Sequence, residues 1–447
     1  MTTYVPFDRD QPYLLPPDLK EWLPADDIAH FIIAAVDRVR LGAFGRNPQP
    51  GGKPQYHPRL MLALLIYSYA NGLFSSRRIE RATYRDIGVR FIAANTHPDH
   101  DTIATFRRTN KDAFEAAFLE VLLLARETGL LKLGTVSIDG TKIDANASKV
   151  RSLRYDRARA LRDKLAADIA ELTAKAEAAD TEDVDPQALP KEIARREILK
   201  AKLDAACARL EAEAKAGAAA ARAQYDAKKA VYDAKTARRG RPPKPPDETP
   251  PPDRQSNLTD PDSQLMRKSK THEYRQAYNP QLVVCAEGSQ LIVATNMATT
   301  PSDQPTFAQT ILAMETTIGL PRTVLADAGY ASGAAVAALE ANNVEPLVAI
   351  ARTQPHRPYD FRPPPEPKPE RRIAEPWRLT MKAKLESEDG KARYKKRKQT
   401  VEPVIGIIKS AMGFTRFHLR GVEKATTEWL LVALAYNCRR LFTLQPA

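Results

Sequence analysis

The stretch that decides the fold is RTVLADAGYASGAAVAALEANNVEPLVAI, Arg322–Ile350. It opens on a short apolar run, RTVLAD, that ends in an acid and turns through glycine. An alanine-rich segment at helical periodicity follows, and VEPLVAI is apolar again. Short apolar runs separated by a helix read as neighbouring buried strands of one sheet. Strand–helix–strand order argues for an α/β sheet with a mixed edge.

Working outward, YNPQLVVCAEG and SQLIVATNMA predict an antiparallel pair joined at Glu287–Gly288–Ser289. PSDQPTFAQTILAMETTIGL, from Pro301, predicts a helix with Ser302 or Asp303 near its cap. Further upstream, GTVSIDGTKIDANAS, from Gly134, supplies the first strand and a polar turn. Residues 1–130 read as helical, with DIAHFIIAAVDRV, PRLMLALLIYSYANGL and DAFEAAFLEVLLLARETGLL at helical spacing. Asp26 or Asp27 is the expected cap of the first, and Pro58 opens the second. Arg77, Arg78, Arg81, Arg107 and Arg108 present either a basic face for DNA phosphates or the plain surface of a bundle. NTHPDHD reads as a turn capping the next helix rather than a metal site.

Between the first strand and the rest lies a segment of different composition. Leu161, Leu165, Ile169 and Leu172 form one stripe, and Leu199, Leu203 and Leu210 another, in a region rich in Ala, Lys, Arg and Glu. This predicts an antiparallel helical hairpin, either a dimerisation or DNA-reaching arm or a structural insertion. It ends in KTARRGRPPKPPDETPPPD, a linker by composition. Within it, Arg239, Gly240, Arg241 and Pro242 resemble an AT-hook, whose arginines sit in narrow A·T minor grooves. The expected division is a helical DNA-binding domain over 1–130 and an inserted hairpin and linker over 151–271. The catalytic domain takes 131–150, 272–352 and 390–447, and a second Pro-rich linker takes 353–389.

The 447 residues carry a formal net charge of +13, which points to nucleic acid or another polyanion. Three scattered cysteines give neither a disulfide framework nor zinc spacing. No run approaches the roughly 18 apolar residues of a membrane span, and no apolar leader opens the chain. A cytoplasmic protein without a membrane partner is expected. No Walker A loop and no GxSxG appear, which argues against ATP-driven or serine-nucleophile chemistry.

Three acids stand out. Asp139 ends TVSID, Asp327 ends TVLAD, and Glu402 sits in the basic run YKKRKQTVEPVIGIIK, Tyr394–Lys409. Ligand sites collect at the C-terminal ends of strands in such sheets. Carboxylates there suit Mg²⁺ or Mn²⁺, and two such ions about 3.5–4 Å apart serve phosphoryl transfer. Taken singly, each aspartate also suits a turn. Gly140 and Gly329 are expected to let backbone approach metal or phosphate closely. Pro403 is expected to place the helix start near Thr400, with Glu402 in the first turn. Glu402 and Lys409, seven residues apart, are expected on one helix face.

With these motifs in view, the chain resembles the DDE-type insertion-sequence transposases of bacteria with an InsH-type N-terminal domain. YHPRLMLALLIYSYANGLFSSRRIERA and NTHPDHDTIATFRR carry the N-terminal resemblance. VSIDGTKIDANAS, LADAGY and YKKRKQTVEPVIGIIK carry the three catalytic blocks, and PSDQ, 301–304, resembles a further segment. The resemblance implies a mixed α+β, ribonuclease-H-like core with Asp139, Asp327 and Glu402 as catalytic metal ligands. It implies DNA contacts by Tyr394, Arg397 and Lys409. Four residues separate Arg397 from Glu402 where the family has three, so Lys398 is a second candidate. Terminal inverted repeats, target DNA and a homodimer are the implied partners. A nuclease of this fold without strand transfer, and a catalytically silent DNA-binding protein, are the competing readings.

Overall fold

The computed structural model describes residues 18–44, 55–178, 188–234, 241–267, 271–298, 300–350 and 375–444. The chain divides into two compact units, residues 1–143 with 279–447, and residues 144–278.

The first unit is built on five strands of a seven-stranded sheet, whose other two, Ile143–Asp144 and Gln264–Met266, are short. The five are β1 (Thr135–Gly140), β2 (Arg275–Cys285), β3 (Ile292–Ala298), β4 (Thr323–Ala326) and β5 (Glu345–Val348). Their spatial order is β3-β2-β1-β4-β5. β1 is antiparallel to β2 and β2 to β3, while β1–β4 and β4–β5 are parallel. The predicted hairpin is present, turning through Gly288 at a φ of 102° that favours glycine. The alanine-rich segment forms the Gly333–Ala341 helix, capped by the Ser332 side chain, and carries the chain from β4 to β5. Val324, Leu325, Leu347 and Val348 are all fully buried, as a strand covered on both faces requires.

The N-terminal helices belong to the same unit. Asp27 caps Ile28–Asp37 by accepting from Ala29 N, and Pro58 opens Pro58–Ala70. Asp99 caps His100–Thr109 by accepting from Thr102 N, so NTHPDHD is the expected capping turn. The C-terminal Val422–Leu444 helix packs against Pro58–Ala70, Lys111–Glu127 and β3. Its Asn437 amide both accepts from Ile292 N and donates to Ile292 O, each at 2.8 Å.

Glu428 on that helix is fully buried. It accepts from Tyr69 Oη at 2.9 Å, and from His418 N and Leu419 N at 2.9 and 3.0 Å. Arg107 stands 3.9 Å from it and donates to Tyr69 Oη and Phe74 O. Arg107 therefore belongs to the interior, not to a basic outer face. Its guanidinium is spent on a carboxylate and two oxygens that would otherwise be buried unpaired.

The second unit holds the predicted hairpin. Helices Tyr155–Ala178 and Ala188–Asp233 meet along Ala158, Leu165, Leu203 and Cys207. Tyr155 pairs with Glu211 and Asp168 with Arg196, so the helices run antiparallel. A short strand, Ser152–Arg154, pairs antiparallel with Gln255–Asn257. Arg241 of the AT-hook-like segment is exposed, and Arg239 lies outside the described residues.

Candidate active site

β1 and β4 run side by side and parallel, with Ser137 opposite Leu325. Two residues on, the same register sets Asp139 beside Asp327, both at C-terminal strand ends. Asp139 accepts from its neighbour Gly140 N at 2.8 Å, and Asp327 from Gly329 N at 2.8 Å. Each carboxyl is thereby oriented by a backbone N–H of its own turn.

The third acid comes from a long helix, Glu388–Gly406. Pro403 does not mark its start, as the sequence suggested, but lies inside it. A proline cannot donate to the carbonyl four residues back, here Gln399 O. That carbonyl instead accepts from the Gln290 side-chain amide at 2.9 Å. Gln290 adopts a φ of 56° just beyond the hairpin turn. A donor from the β2–β3 corner thus replaces the missing helical bond.

The helix is pinned to the sheet in two further places. Tyr394 Oη donates to Ala326 O at 3.0 Å, immediately before Asp327. Arg393 pairs with Glu345 of β5. Arg397 is buried between these anchors and the acids. Its Nη1 donates to Asp139 Oδ2 and its Nη2 to Glu402 Oε1, both at 3.1 Å. One guanidinium therefore joins the first and third acids, while Lys398 beside it is exposed. Lys409 lies in a π-turn, Ile407–Ala411, so the seven-residue spacing from Glu402 is not regular α-helix. It donates to Thr141 Oγ1 and to Lys142 O, just past β1.

Burial and then the neighbouring Asp327 carboxylate push the Asp139 carboxyl up to about 7, against the pull of Arg397. Burial draws the Arg397 value down, but Asp139, Tyr394, Asp327 and Glu402 together hold it above the ordinary arginine value. A second cation would relieve the same repulsion. Among the described residues, no three His, Cys, Asp or Glu side chains close on one point tightly enough to hold a metal as they stand. The Arg397 guanidinium fills the space between Asp139 and Glu402. It is the stand-in by which the donor set fits a hard cation: all-oxygen, anionic and already holding positive charge.

Gly140 and Gly329 have a different reason from the one their sequence position suggested. A Cβ on Gly140 would stand 2.6 Å from Asp303 Oδ1 and collide with the Gln281 amide. A Cβ on Gly329 would stand 2.9 Å from Asp327 Oδ1 and 3.3 Å from Asp303 Oδ2. Side chains, not an open approach path, take up that space. Asp303, expected as a helix cap, makes no side-chain cap bond and turns toward the acids. In the sequence, PSDQ, 301–304, stands apart by resemblance, but Asp303 takes only the role of a helix cap there, because PSDQP reads as a helix start.

The strand order, the parallel β1–β4 pair with its terminal aspartates and the helix-borne glutamate define a ribonuclease-H-like, polynucleotide-processing fold. Two family models match the chain. One, Transposase DDE domain, covers residues 225–438, and the other, Transposase domain (DUF772), covers residues 17–109. The chain matches no curated protein and no solved structure. It belongs to the DDE-type insertion-sequence transposases, enzymes whose substrate is DNA and which generally use divalent metal ions. The DDE match takes in Asp327 and Glu402 but not Asp139, which falls between the two matched segments. The place of Asp139 in the site rests on the register of β1 against β4. Among the described residues, no helix is long and apolar enough to cross a membrane.

Proposed function

We propose that this transposase binds the terminal inverted repeats of its element, hydrolyses a phosphodiester at each end and uses the freed 3′-hydroxyl to attack target DNA. The observation that carries this reading is the Arg397 bridge, which gathers Asp139 and Glu402 beside Asp327 at the ends of two parallel strands. Asp139, Asp327 and Glu402 would hold Mg²⁺ or Mn²⁺, in two-ion sites of this kind. When bound, such ions activate the attacking oxygen and stabilise the leaving one.

The chain's own residues then have separate tasks. Asp139 and Asp327, each held by a backbone N–H, present carboxylate oxygens at the strand ends. Arg397, released from the acids, is free to meet a DNA phosphate with its planar fork. Tyr394, anchored to Ala326 O, orients the helix that carries Glu402. Lys398, Lys409 and the AT-hook-like Arg239 and Arg241 supply phosphate or groove contacts, so binding should weaken steeply with salt. Cutting both ends together calls for a homodimer acting on DNA in the cytoplasm.

The test is cleavage of a duplex carrying the element's flanking inverted repeats, with and without Mg²⁺, by wild type and Glu402→Gln. Metal-dependent nicking and joining to a supercoiled target by wild type alone is expected. Nicking without joined product would favour the nuclease reading, and binding without nicking by either form would favour a silent DNA-binding protein.

A further inference from the structure

We infer that Asp303 is a fourth acid of the cation site, held in place by a buried pair of amides on β2. The inference rests on the metal-dependent reading above and extends it to a residue outside the three acids.

Asp303 precedes a short 3-10 turn, Gln304–Thr306, where an aspartate would ordinarily cap with its side chain. Instead, Asn279 Nδ2 donates to Asp303 Oδ1 at 2.7 Å and Gln281 Nε2 donates to the same oxygen at 2.9 Å. Both amides are buried and lie on one face of β2, two residues apart. Gln281 is fixed in turn, because Tyr330 Oη donates to its Oε1 and Trp429 Nε1 donates to its main-chain oxygen at 3.0 Å. Two donors on a single oxygen set the plane of the carboxylate.

That leaves Asp303 Oδ2, which has no hydrogen-bond partner among the described residues. It faces Gly329, against which Asp327 Oδ1 also lies. The opposite oxygen of Asp303 lies against Gly140, next to Asp139 and paired with Gln281 across the ladder. Asp303 is thus wedged between the glycines that follow the two strand-terminal aspartates. A carboxylate with a rigid support behind it and a free oxygen in front, on the side of the two strand-end aspartates, is one that a hard divalent cation would draw in with them.

Mn²⁺ binding to the full chain with a DNA duplex present, followed by the electron paramagnetic resonance of free Mn²⁺, tests this. Asp303→Asn keeps an acceptor for the two amides and removes the charge. It should weaken Mn²⁺ binding about tenfold or more without lowering the metal-free melting temperature. Wild-type affinity in Asp303→Asn, with binding lost in Asp327→Asn, would overturn the role of Asp303 and leave the metal-dependent reading standing. Failure of the wild type to bind Mn²⁺ would overturn both. If Asp303→Asn does not fold, Fe²⁺-directed backbone cleavage of the wild type decides. Cuts at 302–304 as well as beside Asp139 and Asp327 support the assignment, and cuts at the latter two alone refute it.

Discussion

Glu428 and Asp139 are both carboxylates withdrawn from water, and they are treated in opposite ways. Glu428 is the more deeply buried, yet its pKa is lowered, because a His418 hydrogen bond, the Arg107 charge and the Leu419 N–H outweigh the cost of burial. Asp139 is less buried, yet its carboxyl is pushed up to about 7, because burial and then the neighbouring Asp327 carboxylate outweigh the pull of Arg397. One acid is a completed joint between the N-terminal helices and the Val422–Leu444 helix. The other is left with like charge beside it and one arginine for company. A stable fold satisfies its buried charges, and a site built for a cation leaves some of them wanting.

Breaking the unsatisfied side should cost chemistry and not stability. Asp327→Asn should lower DNA cleavage on the order of a thousandfold or more. Its melting temperature should stay level or rise by a few degrees, since the repulsion on Asp139 is gone. A clear fall in melting temperature would mean that Asp327 also holds the fold together.

Breaking the satisfied side should do the reverse. Glu428→Gln leaves Arg107 buried without its counter-charge and should cost about 3–5 kcal/mol in chemical denaturation. The sign with pH follows from the direction of the shift. A lowered carboxyl contributes stability that is present above the ordinary glutamate value of 4.5 and is lost as pH falls through the depressed folded value. Wild type should therefore lose stability more steeply than Glu428→Gln on acidification below about 4.5.

The smallest effect tests the support behind the unsatisfied side. Gln290→Leu removes the donor that Pro403 denies to Gln399 O, and should cost about 1 kcal/mol. Cleavage should fall modestly, because the carrier of Glu402 is loosened. Unchanged stability would show that water supplies that bond equally well.

The strands, the hairpin and the two strand-end acids were legible because each declares itself locally, and Glu402 was singled out as the one acid of a basic run. β4 is an apolar run closed by Asp327 and Gly329, and the leucine stripes of the inserted helices repeat over several turns. The parts that were not legible depend on residues far apart in the chain. Pro403 looks like a helix start until Gln290, more than a hundred residues away, offers its amide. Arg107 and Arg397 look like surface bases among other bases, and nothing in a run such as YKKRK says which one turns inward. Asp303 looks like a cap because its amide partners sit on another strand. Periodicity predicts which face of an element is apolar. It does not foresee which polar groups will settle one another's charges inside.

The route between β1 and β2 has a consequence of its own. Gly140 and Gln281 face each other across the ladder and Ala145 N still donates to Gln276 O, so the polypeptide departs from and re-enters the sheet at adjacent points. A detour with so narrow a neck can lengthen, shrink or be exchanged over generations at little cost, because closure entropy grows by only about 0.6 kcal/mol per doubling of length. The catalytic scaffold keeps its pairing throughout, while its opening strand drifts ever further along the gene from its partners.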